Sequence, residues 1–156
     1  MALAHYETDK TATGPAELAG KYVILTVGPE TYGVNVGAVQ SIIPMSPITR
    51  VPGTSGWVEG VINLRGNVIP VVDLGRRMGQ PEAPPGTRGR ILVVEHEKGQ
   101  VGLMVDQVTE VQSLEAGQIE PPSSLVRTQD NEFVLGVARD GDRLILLLDV
   151  RKILLF

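Results

Sequence analysis

Short apolar runs rich in valine, isoleucine and leucine recur along the chain, and turns separate them. Examples are KYVILTV (21–27), RILVVEH (90–96) and RLILLLDV (143–150). Runs of this length between turn residues predict β-strands. The chain also contains 18 glycines and 11 prolines, a composition typical of frequent turns. The pattern therefore predicts an all-β protein.

The segment GVINLRGNVIPVVDL (60–74) shows the hairpin pattern most clearly, because two apolar runs face each other across a tight Arg-Gly-Asn link. We expect Gly66 and Asn67 to supply the positive φ angles of the turn. Arg65 is then either a solvated turn residue or part of an interface, where arginine is enriched. The residues alone leave both interpretations open.

Three further segments interrupt the strands. In YGVNVGAVQSII (32–43) the apolar spacing drifts between two and three, which predicts a strand that runs into a helical turn. LGRRMGQ (74–80) and RKILLF (151–156) are predicted to be short and helical. Residues 1–20 are polar and small without sustained periodicity, so we predict a flexible N-terminal arm. Residues 80–89 form the best candidate for an internal linker.

An internal repeat organises these elements. The segment 60–74 aligns without a gap on GVARDGDRLILLLDV (136–150) and matches nearly all of its apolar positions. The preceding segments correspond in the same order, YGVNVGAVQSI with VGLMVDQVTEV and ITRVP with IEPP. The repeat predicts two copies of a small unit of about five strands. Strands this short avoid exposed edges by closing into barrels, and the two barrels should pack together with an apolar groove between them.

Composition excludes several classes. With no cysteine among 156 residues, disulfides and cysteine-ligated metal sites are absent. A net charge of −4 and an aromatic content of 4% argue against nucleic acid as a ligand, and the pair Arg76-Arg77 is expected to be solvated surface. The first twenty residues lack the pattern of a signal peptide, and no apolar run is long enough to span a membrane. We expect a soluble, cytoplasmic protein.

Catalytic chemistry finds little support. His5 and His96 lie in the arm and at a predicted turn, without partners for catalysis, and Glu95 and Glu97 beside His96 are expected to be exposed. No nucleophile, phosphate-loop or zinc motif is present. Asp73 and Asp149 end equivalent strands; a catalytic dyad is conceivable, but capping of the next helical turn explains both. We predict no catalytic residue, no metal and no cofactor.

The segments quoted above carry a resemblance to a known family. WVEGVINLRGNVIPVVDLGRRMG (57–79) resembles the central signature of the CheW family of bacterial chemotaxis adaptors. YGVNVGAVQSII, VGLMVDQVTEVQSL, IEPP and GDRLILLLDVRKIL resemble the rest of that family in order and spacing. The resemblance covers residues 21–156. It implies two intertwined, packed five-stranded Src-homology-3-like barrels with short helical turns, the second barrel centred on about 90–140, without catalysis or cofactor.

The resemblance also implies partner-binding residues. The arginine of the family's N-L-R-G is Arg65, followed by Gly66, and the glycine that opens the strand is Gly60. The valine of the family's V-x-E-I segment is Val39, and Ile42 ends that segment. Ser41 stands where the family has an acidic residue, which puts an expected charge contact in doubt. Val36 and Val105 are candidates for the lining of a receptor-binding groove between the barrels.

The implied partners are the regulatory domain of the histidine kinase CheA, the cytoplasmic tip of methyl-accepting chemoreceptors, and other copies of this chain in array rings. The resemblance implies neither nucleic-acid binding nor direct insertion into the membrane, but recruitment to membrane-associated receptor arrays. Two alternatives remain open: an adaptor of another chemosensory pathway, serving pilus motility or gene regulation, and a tandem-barrel binding module of unrelated function.

Overall fold

The computed structural model describes residues 14–54, 56–97, 99–122 and 132–155. Strands dominate the described residues. They are β1 (Gly20–Val27), β2 (Glu30–Asn35), β3 (Val39–Pro44), β4 (Val58–Leu64), β5 (Asn67–Asp73), β6 (Arg90–His96), β7 (Gly99–Val105), β8 (Gln107–Leu114), β9 (Ile119–Glu120), β10 (Val134–Asp140) and β11 (Arg143–Leu148). Short α-helices are α1 (Pro15–Leu18), α2 (Leu74–Arg77) and α3 (Val150–Ile153), and 3-10 turns cover Val36–Ala38 and Ala116–Gln118. The prediction of an all-β protein with short helical turns is confirmed.

Two sheets contain all of these strands. One has six strands in the order β8-β1-β2-β11-β10-β9, and the other has five in the order β3-β6-β7-β5-β4. Neighbouring strands are antiparallel except for β2 with β11 and β5 with β7, which are parallel. None of the described helices has the length and apolarity to cross a lipid bilayer.

The sheets do not follow the two copies of the repeat. Hairpin β1–β2 belongs to the first copy, yet it pairs with β8 and β11 of the second. Hairpin β6–β7 belongs to the second copy, yet it pairs with β3 and β5 of the first. Each sheet is therefore built from strands of both copies, because the copies exchange their first hairpins. The range 90–140, predicted as the centre of the second barrel, contributes strands to both sheets.

The two sheets close in the same way. After β3, the chain returns to the free edge of β4, where Thr49 and Val61 exchange backbone hydrogen bonds of 2.9 and 2.8 Å. After β8, the chain returns to the free edge of β10, where Glu120 of β9 lies opposite Val137. These equivalent closures give each sheet the beginning of a barrel, and they agree with the alignment of ITRVP on IEPP.

Both faces of the central strands are buried, which explains their continuous apolar sequence. In β1, Val23 and Leu25 enter a core cluster shared by both sheets, whereas Ile24 packs in a cluster formed by the six-stranded sheet and Leu18 of α1. In β6, Leu92 enters the shared cluster, whereas Ile91 packs within the five-stranded sheet. Each sheet thus has a core cluster of its own, which we call its private core, and a third cluster is shared by both sheets.

The predicted arm is shorter than expected. Residues 14–20 are ordered: α1 buries Leu18, whose carbonyl oxygen accepts a 2.6 Å hydrogen bond from the Tyr22 hydroxyl, and β1 begins at Gly20. The prediction of a flexible arm is wrong for these residues, because one buried leucine anchors the turn. Residues 1–13 lie outside the described part of the chain. The predicted helical turns after β5 and β11 are confirmed as α2 and α3.

Candidate functional site

Arg65 and Gly66 form the two-residue turn between β4 and β5, because Leu64 pairs with Asn67. Their φ angles are 52° and 85°, so the positive pair is Arg65–Gly66 rather than the expected Gly66–Asn67. Two successive positive φ angles are typical of the type I′ turn, which matches the twist of the strands. The Asn63 side-chain oxygen accepts a 3.0 Å hydrogen bond from the Gly66 amide. The turn thereby holds an arginine in a conformation that non-glycine residues rarely adopt.

The Arg65 side chain is exposed. Among the described residues, none makes a hydrogen bond or an ion pair with its guanidinium. Val68, which follows on β5, is 66% exposed. The tip of the hairpin therefore presents an exposed cation and an exposed apolar side chain.

Gly60 lies in β4 directly beneath the returning chain. A Cβ atom added there would come within 2.2 Å of the Thr49 carbonyl oxygen and 2.8 Å of Ile48 Cγ2. Any side chain would therefore push residues 48–49 away from β4 and break the closure of this sheet. Gly60 contributes through its small size, because it allows residues 48–49 to approach β4 closely. It offers no side chain to a partner.

Strand β3 carries the other predicted site residues. Val39 is half-buried against the shared core, and Ile42 is 40% exposed. Ser41 is half-buried on the same face of the strand as Ile43, which packs against the private core. Of the three predicted site residues in β3, Ile42 therefore offers the largest apolar surface to a partner.

The strand ladders show how β3 relates to the hairpin tip. Val39, Ser41 and Ile42 pair with Val94, Val93 and Leu92, with a bulge after Val39. Val108, Glu110 and Val111 pair with Leu25, Ile24 and Val23, with a bulge at the same point. Val108, Glu110 and Val111 of the six-stranded sheet are therefore equivalent to Val39, Ser41 and Ile42 of the five-stranded sheet. The acidic residue that is absent at position 41 is present at the equivalent position as Glu110.

In the six-stranded sheet the hairpin tip reaches across to β8. Arg143 at this tip donates hydrogen bonds to Glu110 (2.7 Å), Gln112 (3.0 Å) and Asp140 (2.7 Å). The hydrogen bond from Arg143 lowers the pKa of the Asp140 carboxyl, and Gln112 contributes. The same carboxylates raise the pKa of Arg143, with Glu110 the larger cause. The charged side chains at this hairpin tip are therefore paired within the protein.

In the five-stranded sheet, Leu64 of the hairpin and Ile43 of β3 pack on the same core cluster. The position of Arg143 is taken by Asn67, and that of Glu110 by Ser41. The charge network is therefore missing from this sheet. Arg65, Ile42 and Val68 are exposed in this sheet, and we call these three residues the tip surface.

The two groove candidates are equivalent positions with different exposure. Val36 lies in the 3-10 turn after β2 and is 37% exposed, whereas Val105 ends β7 and is 0% exposed in the shared core. Val105 therefore does not line an open surface, because both sheets cover it. Val36 is the accessible residue of the pair.

The carboxylates considered for catalysis have structural partners. Asp73 accepts a hydrogen bond from the Arg76 amide and Asp149 from the Lys152 amide, both at 3.3 Å, so each caps the helix that follows it. Asp73 also pairs with the buried Arg88, at 3.0 Å. The described residues contain no group of side chains that could hold a metal ion. His5 and the side chain of His96 lie outside the described part of the structure.

The sequence-based prediction is wrong for Arg77. Its guanidinium is not solvated surface but lies between the rings of Trp57 and Phe133. The signal in the sequence that could have indicated this position was an aromatic residue at equivalent places before β4 and β10, a tryptophan and a phenylalanine. Arg76 is also paired, with Glu59 and Asp73.

Two packed barrel-like sheets with an exposed tip surface define a β-barrel protein built for interaction. The family model for the CheW-like domain matches residues 21–155. The chain belongs to the CheW family.

Individual relatives agree with this assignment. The chemotaxis protein CheW of Klebsiella aerogenes is 33% identical over 144 residues, which cover 89% of this chain and 87% of the relative. CheW of Bacillus subtilis is 30% identical over 142 residues, with 91% of each chain covered. The crystal structure of the scaffolding protein TtCheW from Thermoanaerobacter tengcongensis superposes with a TM-score of 0.78 at 35% identity, covering 87% of this chain and 92% of that one. This neighbour confirms the predicted two-barrel fold of the Src-homology-3 type.

Proposed function

We propose that this protein is a non-catalytic adaptor that couples methyl-accepting chemoreceptors to the histidine kinase CheA in bacterial chemotaxis. The observation that carries the proposal is the family match over residues 21–155. The relatives are named chemotaxis proteins, and the structural neighbour is titled a scaffolding protein. An adaptor acts by binding two partners at once, so its function depends on surfaces rather than on reacting groups.

The tip surface is the proposed docking site for the kinase. Arg65 can pair bidentately with a carboxylate of the partner, and Ile42 and Val68 supply apolar area beside it. The internal network of the other sheet supports this choice, because there Arg143 is already bound to Glu110 and Asp140. Ser41 and Asn67 are neutral, so the equivalent of that network is not formed here, and Arg65 is available to pair with a carboxylate of the partner.

The receptor tip is the proposed occupant of the groove that the resemblance implies between the barrels, with the exposed Val36 as its candidate lining residue. Such contacts join different surfaces of similar barrels, so they can close into rings and extend into arrays. Several modest affinities then hold a large assembly together. Through the receptors the adaptor is recruited to membrane-associated arrays.

Receptor-dependent autophosphorylation of CheA from the same organism tests the proposal, with and without this protein. We expect stimulation by the native protein and its loss in Arg65→Asp, with kinase affinity reduced about 30-fold, as for an interface hot spot. Arg90→Asp is the matched control, because Arg90 is an exposed arginine of the same sheet whose guanidinium bonds to the Gly89 carbonyl oxygen and to no carboxylate among the described residues. Lack of stimulation by the folded native protein would contradict the proposal and indicate another chemosensory pathway.

A further inference from the structure

Arg77 of α2 occupies an unusual place for a surface-helix arginine. Its guanidinium carbon lies 4.4 Å from the centroid of the Trp57 ring and 4.8 Å from that of Phe133. A cation within about 6 Å of an aromatic face is attracted by the ring electrons. The guanidinium is therefore held between two rings that belong to different parts of the chain.

The same side chain binds the end of the C-terminal helix. Arg77 Nε donates to the Ile153 carbonyl oxygen at 2.7 Å, and Nη2 donates to the carbonyl oxygens of Leu155 (2.7 Å) and Lys152 (3.2 Å). The last carbonyl groups of a helix have no partner within the helix and carry partial negative charge. Arg77 supplies the missing donors and a positive charge to the end of α3.

These contacts connect the two sheets. Helix α2 follows β5 of the five-stranded sheet, and α3 follows β11 of the six-stranded sheet. Trp57 precedes β4, where its carbonyl oxygen accepts from the Asp73 amide, and Phe133 precedes β10, where its carbonyl oxygen accepts from the Asp149 amide, both at 2.8 Å. The two aromatic residues are thus equivalent positions of the repeat, and one guanidinium lies between them.

The environment of Arg77 is costly for a charge and is compensated locally. Burial lowers the pKa of the guanidinium, and the negative charge of Glu132 opposes this effect. Arginine nevertheless remains protonated at neutral pH. The partly buried cation is compensated because rings and carbonyl groups replace part of its water, and here they come from both sheets.

We propose that Arg77 is a conformational lock that holds α3 against the five-stranded sheet and sets the angle between the two sheets. Its role in signalling rests on the proposed adaptor function. A partner bound to one sheet can act on the surface of the other only through the junction between them, and Arg77 joins four elements at that junction. Releasing it loosens the contact of α3 with the five-stranded sheet without removing either partner surface, while the shared core keeps the sheets packed.

Hydrogen exchange of the purified full-length protein tests the lock without any partner. In Arg77→Gln, which loses the charge and the planar fork, we expect amide exchange in residues 150–155 to accelerate at least tenfold relative to the rest of the chain. The single tryptophan of the sequence, Trp57, should shift its fluorescence to longer wavelength as the guanidinium leaves and water enters. Arg77→Lys keeps the charge but loses the fork, so its exchange should lie between the two.

Arg76→Gln is the matched control, because Arg76 precedes Arg77 in α2 and binds Glu59 and Asp73 without contact to α3. It should leave exchange in residues 150–155 at the native rate. Acceleration by the same factor throughout the chain in Arg77→Gln would overturn the lock and make Arg77 a general stabiliser. If Arg77→Gln does not fold, the same comparison of local with global exchange in Arg77→Lys decides the question.

The signalling role is tested in the receptor–kinase assay. We expect Arg77→Gln to bind receptor and kinase separately within about twofold of the native affinities but to lose at least fivefold of the receptor-dependent stimulation. Unchanged stimulation despite faster exchange would overturn the signalling role. Failure of the native protein to stimulate would instead contradict the proposed adaptor function and leave the exchange result standing as evidence on the lock.

Discussion

Arg65 and Gly141 occupy the same position in the two hairpin turns and share a left-handed backbone, with φ angles of 52° and 63°. Glycine adopts this conformation without steric cost, whereas for other residues it costs roughly 1–2 kcal/mol. The five-stranded sheet therefore carries a strained arginine where the equivalent turn carries the expected glycine. Strain of this kind persists at functional sites.

Arg65→Gly should separate folding from docking. Relief of the strained turn exceeds the entropy that glycine adds to the unfolded chain, so the free energy of unfolding should stay unchanged or rise by up to about 1 kcal/mol. Kinase docking should fall as in Arg65→Asp. Urea unfolding and kinase binding measure the two effects. Arg65→Asn tolerates the same backbone and serves as the control; retained docking in both variants would return Arg65 to a plain turn role.

Gly60→Ala should destabilise the protein by about 1–3 kcal/mol, as overpacking does in a well-packed site. The added methyl group would meet the Thr49 carbonyl oxygen at 2.2 Å, and backbone cannot yield as a flexible side chain does. Gly56→Ala is the matched control, because nothing lies within 4 Å of its Cβ position and its φ is not positive. Thermal unfolding of both variants tests this expectation, and equal stabilities would refute it.

Asp73 and Asp149 cap equivalent helices, but only Asp73 has a recorded ion pair among the described residues. Asparagine caps helices as well as aspartate does, so Asp149→Asn should change the free energy of unfolding by less than about 0.5 kcal/mol. Asp73→Asn should cost about 2 kcal/mol more, because Arg88, with a 7% exposed side chain, loses one of its two carboxylates. Urea unfolding measures both, and equal costs would show that Arg88 gains nothing from Asp73.

The pKa of Asp140 should lie below the ordinary value of 3.8, because Arg143 and Gln112 hydrogen-bond its carboxylate. A carboxyl whose folded-state pKa is lowered stabilises the protein above its unfolded-state pKa, and the effect disappears as the pH falls through the folded-state pKa. Arg143→Gln should raise the pKa of Asp140 toward 3.8 and lower stability at neutral pH but not in strong acid. Carboxyl chemical shifts during an acid titration measure the pKa; an unchanged midpoint would contradict the assignment.

Local patterns sufficed for the strands, the hairpin at 60–74 and both helical turns, because each follows from the spacing of neighbouring residues. They could not predict the exchange of hairpins. Strand β1 presents valine, isoleucine and leucine to both faces, and such a strand can pair equally well with β3 or β8. The choice depends on how the crossing segments fold back, which involves contacts distant in sequence.

The candidate site was predictable to a similar degree. The hairpin pattern located Arg65, but not the strain in its turn, because Gly66–Asn67 satisfies the same turn chemistry on paper. Val105 was misplaced because an apolar residue at a strand end has the same appearance in a groove and in a core. Arg77 was assigned to solvent because its aromatic partners lie far away in sequence and meet it only in the folded chain.

The exchanged hairpins also impose an order on synthesis of the protein. All strands of the five-stranded sheet have left the ribosome once Val105 has emerged, whereas the six-stranded sheet waits for Leu148. The β1–β2 hairpin is thus the first to appear and the last to find both of its neighbours. Until then its edges are open to pairing with other chains. A chain that ends between β7 and β8 has one finished sheet and a β1–β2 hairpin without either of its neighbours.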